Sequence, residues 1–172
     1  RELAGYYAMV ENLDFNLGRV MKTLQDEAIS FRTHLMFFSD HGDMLGSQGQ
    51  FRKMTPHEES IRIPFFISGA TPTYEGHMTG RHPVLLNAPD IAPTTLGLCG
   101  LKQPSWMEGK DLSGFRMRKA GTAAPELPDS AYLQTVVPTG HGDSVNKPYR
   151  GLVTRDGWKY ACFDDVSWLL FN

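Results

Sequence analysis

Cysteine is nearly missing from this sequence: there are two in 172 residues, Cys99 and Cys162, and no C-x-x-C pair. That excludes a disulfide framework, and each is read as a small buried apolar side chain. No apolar run reaches the roughly 18 residues that span a bilayer, and no charged-then-apolar leader opens the chain. A basic stripe is lacking too, since 17 basic and 19 acidic residues are spread along the chain for a net charge of -2. Without such a stripe a nucleic-acid backbone is not an expected partner. There is no internal repeat and no low-complexity tract. The chain also lacks an initiator methionine, entering a helical pattern directly after Arg1 and stopping at Asn172 just after the apolar "WLLF". Both ends are expected to continue into a longer protein.

What is present is enough apolar material, 41% hydrophobic and 11% aromatic, to bury a core. Leu3, Tyr6, Val10, Leu13, Leu17, Val20 and Leu24 recur at alternating spacings of three and four. That spacing predicts one long amphipathic helix packed across a sheet. "HLMFF" at 34–38 predicts a strand buried on both faces, and "IPFFI" at 63–67 and "VLL" at 84–86 predict neighbouring strands. After Pro89-Asp90, residues 91–99 read as a helix with Asp90 as N-cap and Gly100 past its end.

Residues 102–130 are rich in Pro, Gly, Ser and charge, which predicts a surface connection. Beyond it, 132–137, 149–154, 158–163 and 167–171 predict short antiparallel strands, with Arg155-Asp156-Gly157 as the turn between the second and third. The expected layout is an α/β sheet over 1–101, a connection over 102–130 and a small antiparallel sheet over 131–172.

Ligands collect where the strands of an open α/β sheet end. Asp40 and His41, after the strand at 34–38, are therefore candidate ligands for a divalent cation, one through oxygen and one through a ring nitrogen. The loop at 42–60 gathers Arg52, Lys53, His57, Glu58 and Glu59. Lys53, a compact point charge, is the candidate anion binder. Glu58 and Glu59 are read as holding this loop or pairing with Arg62, and Asp43 as a turn residue. His141, bracketed by glycines in "TGHGD", is a candidate pocket residue. Asp164-Asp165 is read as a hairpin turn pair.

"FFSDHGDMLGSQGQFRKMTPHEESIRIPFFISG" at 37–69 resembles the type I sulfatase segment in which a strand ends in Ser-Asp-His/Asn-Gly and a lysine precedes Tyr-Glu-Glu-Ser. "APDIAPTTLGLCGLKQPSWMEGKDLSG" at 88–114 and "YRGLVTRDGWKYACF" at 149–163 are similar to later segments of the same family. The resemblance implies an alkaline-phosphatase-like α/β/α sheet domain followed by a small C-terminal antiparallel subdomain. It implies hydrolysis of sulfate esters with a divalent metal, calcium first and manganese or zinc as alternatives. Asp40 and His41 would be metal ligands and Lys53 a sulfate contact.

The family's formylglycine nucleophile arises in a C/S-x-P/A-x-R motif, which neither Cys99 nor Cys162 matches, so the nucleophile and two further aspartates are expected outside these 172 residues. This chain alone is then expected to be nearly inactive. His57 stands where the family has Tyr, and Gln48 where a His is common. Phosphonate monoester and phosphodiester hydrolases of the same superfamily, or a non-catalytic derivative, are the competing readings. The implied substrate is a sulfated small molecule or glycan, and the implied compartments are periplasm, lysosome or exterior.

Overall fold

The computed structural model describes residues 2–69, 80–117, 123, 125–138, 140, 142, 144–164 and 166–172. They fall into two compact units, Arg1–Phe38 with Pro64–Thr71, and Ser39–Ile63 with Pro72–Asn172.

In the first unit the three-four spacing produces helix α1 (Glu2–Asp26), and two five-residue strands follow, β1 (His34–Phe38) and β2 (Phe65–Gly69). The strands pair antiparallel with Met36 opposite Ile67, and Phe37 stacks on Phe66 at 5.0 Å between ring centroids. Two departures from expectation stand here. Strand β1 is half-buried rather than buried on both faces, with Phe38 exposed at its end, because β2 is its only partner among the described strands. Helix α1 buries no residue, so its apolar stripe is not packed across a sheet in this chain. It is also not apolar enough to cross a membrane, nor is any other described helix.

The second unit holds the short helix α2 (Glu58–Ile61), helix α3 (Ala88–Leu98) and strands β3 (Ser130–Thr135), β4 (Tyr149–Thr154), β5 (Lys159–Phe163) and β6 (Val166–Phe171). The four strands form one antiparallel sheet in sequence order, with Gly151 opposite Leu133 and Ala161. Gly157, at φ 100°, makes the turn between β4 and β5. Aromatic rings pack the sheet, Trp168 stacking on Phe163 at 4.2 Å and meeting Tyr149 edge-on at 5.6 Å.

Helix α3 begins earlier than predicted. Its N-cap is Asn87, and Asp90 sits one turn in, completing a capping box. The Asp90 carboxylate also accepts the Lys110 amide at 2.8 Å, and Thr94 accepts the Leu112 amide at 3.1 Å. These bonds pin the 102–117 connection onto α3. Residues 84–86 form no strand: their segment runs irregularly from Gly80 to Asn87 with no ladder partner. Cys99 is exposed, because α3 ends there at the surface, and Cys162 is half-buried, so neither is the buried apolar residue expected.

Candidate functional site

Directly after β1, Ser39-Asp40-His41-Gly42 forms a tight bend held by its own polar groups. The Ser39 hydroxyl donates to the His41 carbonyl at 2.6 Å, and the His41 amide donates to the Asp40 carboxylate at 3.0 Å. The imidazole is oriented by its near neighbour: Nδ1 lies 2.8 Å from the Gly42 carbonyl oxygen, which only accepts, so Nδ1 carries the proton. The Lys53 ammonium, which only donates, stands against Nε2, so the lone pair is on Nε2. This atom is 3.3 Å from Oδ2 of Asp40 and 2.8 Å from Nζ of Lys53. The two predicted cation ligands and the predicted anion binder thus meet at one atom.

The Asp40 carboxyl lies below the usual carboxylate range. Desolvation pushes it upward, and this is outweighed by the hydrogen bonds from the His41 amide and its own amide and by the nearby Lys53 ammonium. Asp40 is exposed and stays ionised, as a cation ligand must.

The loop that returns Lys53 to His41 is a narrow hairpin. Gly42, Met44 and Gly46 donate their amides to the carbonyls of Ser60, Arg52 and Gln50 at 2.8, 2.6 and 2.9 Å. Met44, 1% exposed, and fully buried Thr55 and Pro56 anchor it from beneath. Gly42 is required by close approach, since a Cβ there would overlap the Glu59 carbonyl oxygen. Leu45, Gln48, Arg52 and Met54 all have positive φ, between 47° and 78°. Such backbone costs of order 1–3 kcal/mol at each residue and clusters at functional loops.

Among the other acidic residues predicted for this loop, Glu58 pairs with Arg62 at 3.7 Å, as expected, and also with Lys159 in β5. The Glu59 carboxyl is held below its usual range, first by its own amide, against desolvation, and further by the Ser47 hydroxyl, His57 and Lys159. The Asp43 carboxylate accepts the Leu45 amide at 2.8 Å, which is the turn role expected of it. His141 and Asp165 lie outside the described residues.

Two site-loop partners were not read from the sequence. The Ser144 hydroxyl donates to the Lys53 carbonyl, and Lys159 reaches Glu58 from 101 residues away. A signal existed for Lys159: alternation along β5 puts it on the same face as Ala161, and a lysine on a buried face needs a partner.

Asp40 and His41 fit a divalent cation as far as they go. One ionised oxygen donor and one imidazole lone pair converge, and the ring's other nitrogen is tied to a carbonyl, the usual outer support of a ligating histidine. No group of three or more His, Cys, Asp or Glu side chains able to hold a metal occurs among the described residues.

The sulfatase family model matches residues 1–101. The chain is 35% identical over 162 residues to an ulvan-active sulfatase of Formosa agariphila, covering 93% of this chain and 30% of that protein. It is 34% identical over 172 residues to arylsulfatase K of Danio rerio, covering 98% of this chain and 31% of that protein. A solved structure in complex with its substrate D-glucosamine-2-N,6-O-disulfate superposes with a TM-score of 0.75 at 28% identity, covering 95% of this chain and 32% of that one. The chain thus spans about a third of the length of the curated relatives it matches.

Proposed function

The chain belongs to the sulfatase family, and from that premise we propose that it contributes a cation-binding pair and a sulfate-binding lysine to the active centre of a sulfuric ester hydrolase. The observation that carries this reading is the imidazole of His41, whose only lone pair faces both Asp40 and Lys53.

Asp40 and His41 hold the divalent cation, calcium first by family resemblance, with manganese or zinc compatible with the nitrogen donor. When bound, the cation supplies Lewis-acid polarisation of a sulfuryl oxygen. Gly42 keeps the His41 ring in the tautomer that leaves Nε2 free to donate its lone pair. Lys53 binds the sulfate group and neutralises charge on its oxygens as the S–O bond breaks. His141 is proposed to enter the substrate pocket. The formylglycine nucleophile and the remaining carboxylate ligands come from a part of the whole protein outside these 172 residues, which leaves this chain able to bind but nearly inactive. The substrate is a sulfated small molecule or glycan, and the compartment is proposed to be periplasmic, lysosomal or external.

Calorimetric titration of the chain with calcium, manganese and zinc, repeated on Asp40→Ala and His41→Ala, tests the reading. Binding that both substitutions abolish is the expected result. Binding that survives both would remove the cation from this bend and overturn the assignment.

A further inference from the structure

We infer that Lys159 and Ser144, in the C-terminal segment, are positioning residues that clamp the two sides of the His41–Lys53 contact; the inference rests on the site proposed above. Lys159 is 6% exposed, and its ammonium is ion-paired with Glu58, the first residue of α2. Fixing Glu58 fixes α2. Ser60 of α2 then accepts the Gly42 amide at 2.8 Å, and Gly42 in turn accepts Nδ1 of His41. Apart from the helix backbone that joins Glu58 to Ser60, each link is a hydrogen bond or ion pair, so the path from β5 to the imidazole is continuous.

On the other side, the hydroxyl of Ser144 donates to the backbone carbonyl of Lys53, fixing the root of the lysine whose Nζ meets Nε2. A third contact runs parallel to these: the ring of Phe171 in β6 lies 6.1 Å from that of His57, the residue before α2. Hairpin bonds and the buried Met44, Thr55 and Pro56 hold the loop from within, yet its backbone at Arg52 and Met54 sits at positive φ on either side of Lys53. A conformation so disfavoured persists only where its surroundings over-determine it. Lys159 and Phe171 in the sheet, and Ser144 between β3 and β4, add to this hold without touching the reacting group.

The experiment is backbone amide exchange by NMR on the whole chain, together with the nitrogen shifts of the His41 ring, in wild type, Lys159→Met, Lys159→Arg and Ser144→Ala. Lys159→Met should speed exchange at Gly42 by roughly tenfold, as local opening does. It should also scramble the Nδ1–H tautomer signature of His41, with the amides of β4 and β5 affected less than Gly42. Lys159→Arg should restore both. Ser144→Ala should broaden or shift the Lys53 resonances and leave Gly42 protected. An unchanged Gly42 rate and His41 signature in Lys159→Met would overturn the clamp, and so would faster exchange through β4 and β5 in step with Gly42, which would make Lys159 a fold residue only. Titration with inorganic sulfate separates the two ideas. If wild type shows no shift at Lys53, the sulfate role fails, while the clamp is judged on exchange and tautomer alone.

Discussion

Nζ of Lys53 lies 2.8 Å from Nε2 of His41, so the lysine donates to the same lone pair that a cation would use. At the proposed cation site, ammonium and metal would therefore compete for one atom of this chain. Removing the ammonium by Lys53→Met should tighten metal binding at Asp40–His41 by about tenfold, the worth of one lost hydrogen bond of roughly 1–1.5 kcal/mol. The same substitution should abolish any response to sulfate. Calorimetry with manganese on both proteins measures the first effect, and a looser metal in Lys53→Met would contradict the competition.

Gly42→Ala should damage the site more than the fold. The added methyl overlaps the Glu59 carbonyl oxygen, so the Gly42–Ser60 hydrogen bond must open and the carbonyl that orients His41 must turn. Metal affinity is expected to fall roughly 10–100-fold, as for other losses of a ligand's outer support. The midpoint of thermal unfolding, read by circular dichroism, should move by only a few degrees.

The Glu58–Lys159 pair is asymmetric in burial, the lysine side chain being 8% and the glutamate side chain 52% exposed. Glu58→Ala strands a buried ammonium and should cost about 3 kcal/mol of stability, whereas Lys159→Met leaves a carboxylate that water can reach and should cost roughly 1 kcal/mol. Urea titrations of both and of the double variant check this. The double variant should be more stable than Glu58→Ala alone.

Asp90→Ala should destabilise the chain by about 3 kcal/mol. Its carboxylate accepts the amides of Asn87 and Lys110, both at 2.8 Å, and bonds to a charged acceptor are each worth roughly 1.5–3 kcal/mol. Both the start of α3 and the connection at 102–117 should lose protection in amide exchange. Loss confined to α3 would show that the connection is held elsewhere.

Burial raises the Tyr149 phenol above its ordinary value, against a smaller opposing effect of its hydrogen bond with Thr135. The folded chain therefore holds this proton more tightly than the unfolded chain. The contribution is complete below the unfolded value near pH 10 and is lost as pH rises through the folded one. Stability should fall more steeply above about pH 10 in wild type than in Tyr149→Phe, as followed by urea unfolding at successive pH values.

How much of this was legible depended on whether the signal was local. Helix α1, strand β4 and the Arg155-Asp156-Gly157 turn follow from periodicity and turn chemistry within a few residues, and the structure forms all three. Residues 84–86 misled, because three apolar side chains after Pro83 satisfy a strand pattern without any partner to complete a ladder. Asp40, His41 and Lys53 could be singled out from residue type and motif, but their meeting at Nε2 could not, since it depends on which ring nitrogen Gly42 engages. Ser144 was out of reach for a different reason, its partner lying 91 residues away, and for Lys159 the alternation of β5 marked a buried lysine without naming a partner 101 residues away.

The left-handed residues of the 45–54 hairpin have a consequence for anyone wishing to re-engineer the protein. Glycine relaxes such backbone at no steric cost, so glycine at Leu45 or Met54 is the obvious route to an easier loop. The natural sequence takes the harder course at both positions. Leucine and methionine disfavour this backbone, but glycine would open many more conformations to the loop, so the natural residues trade comfort for a smaller set of shapes. Ranking variants by thermal tolerance alone would therefore favour a slacker hairpin, and would discard the property that lets one lysine find one imidazole.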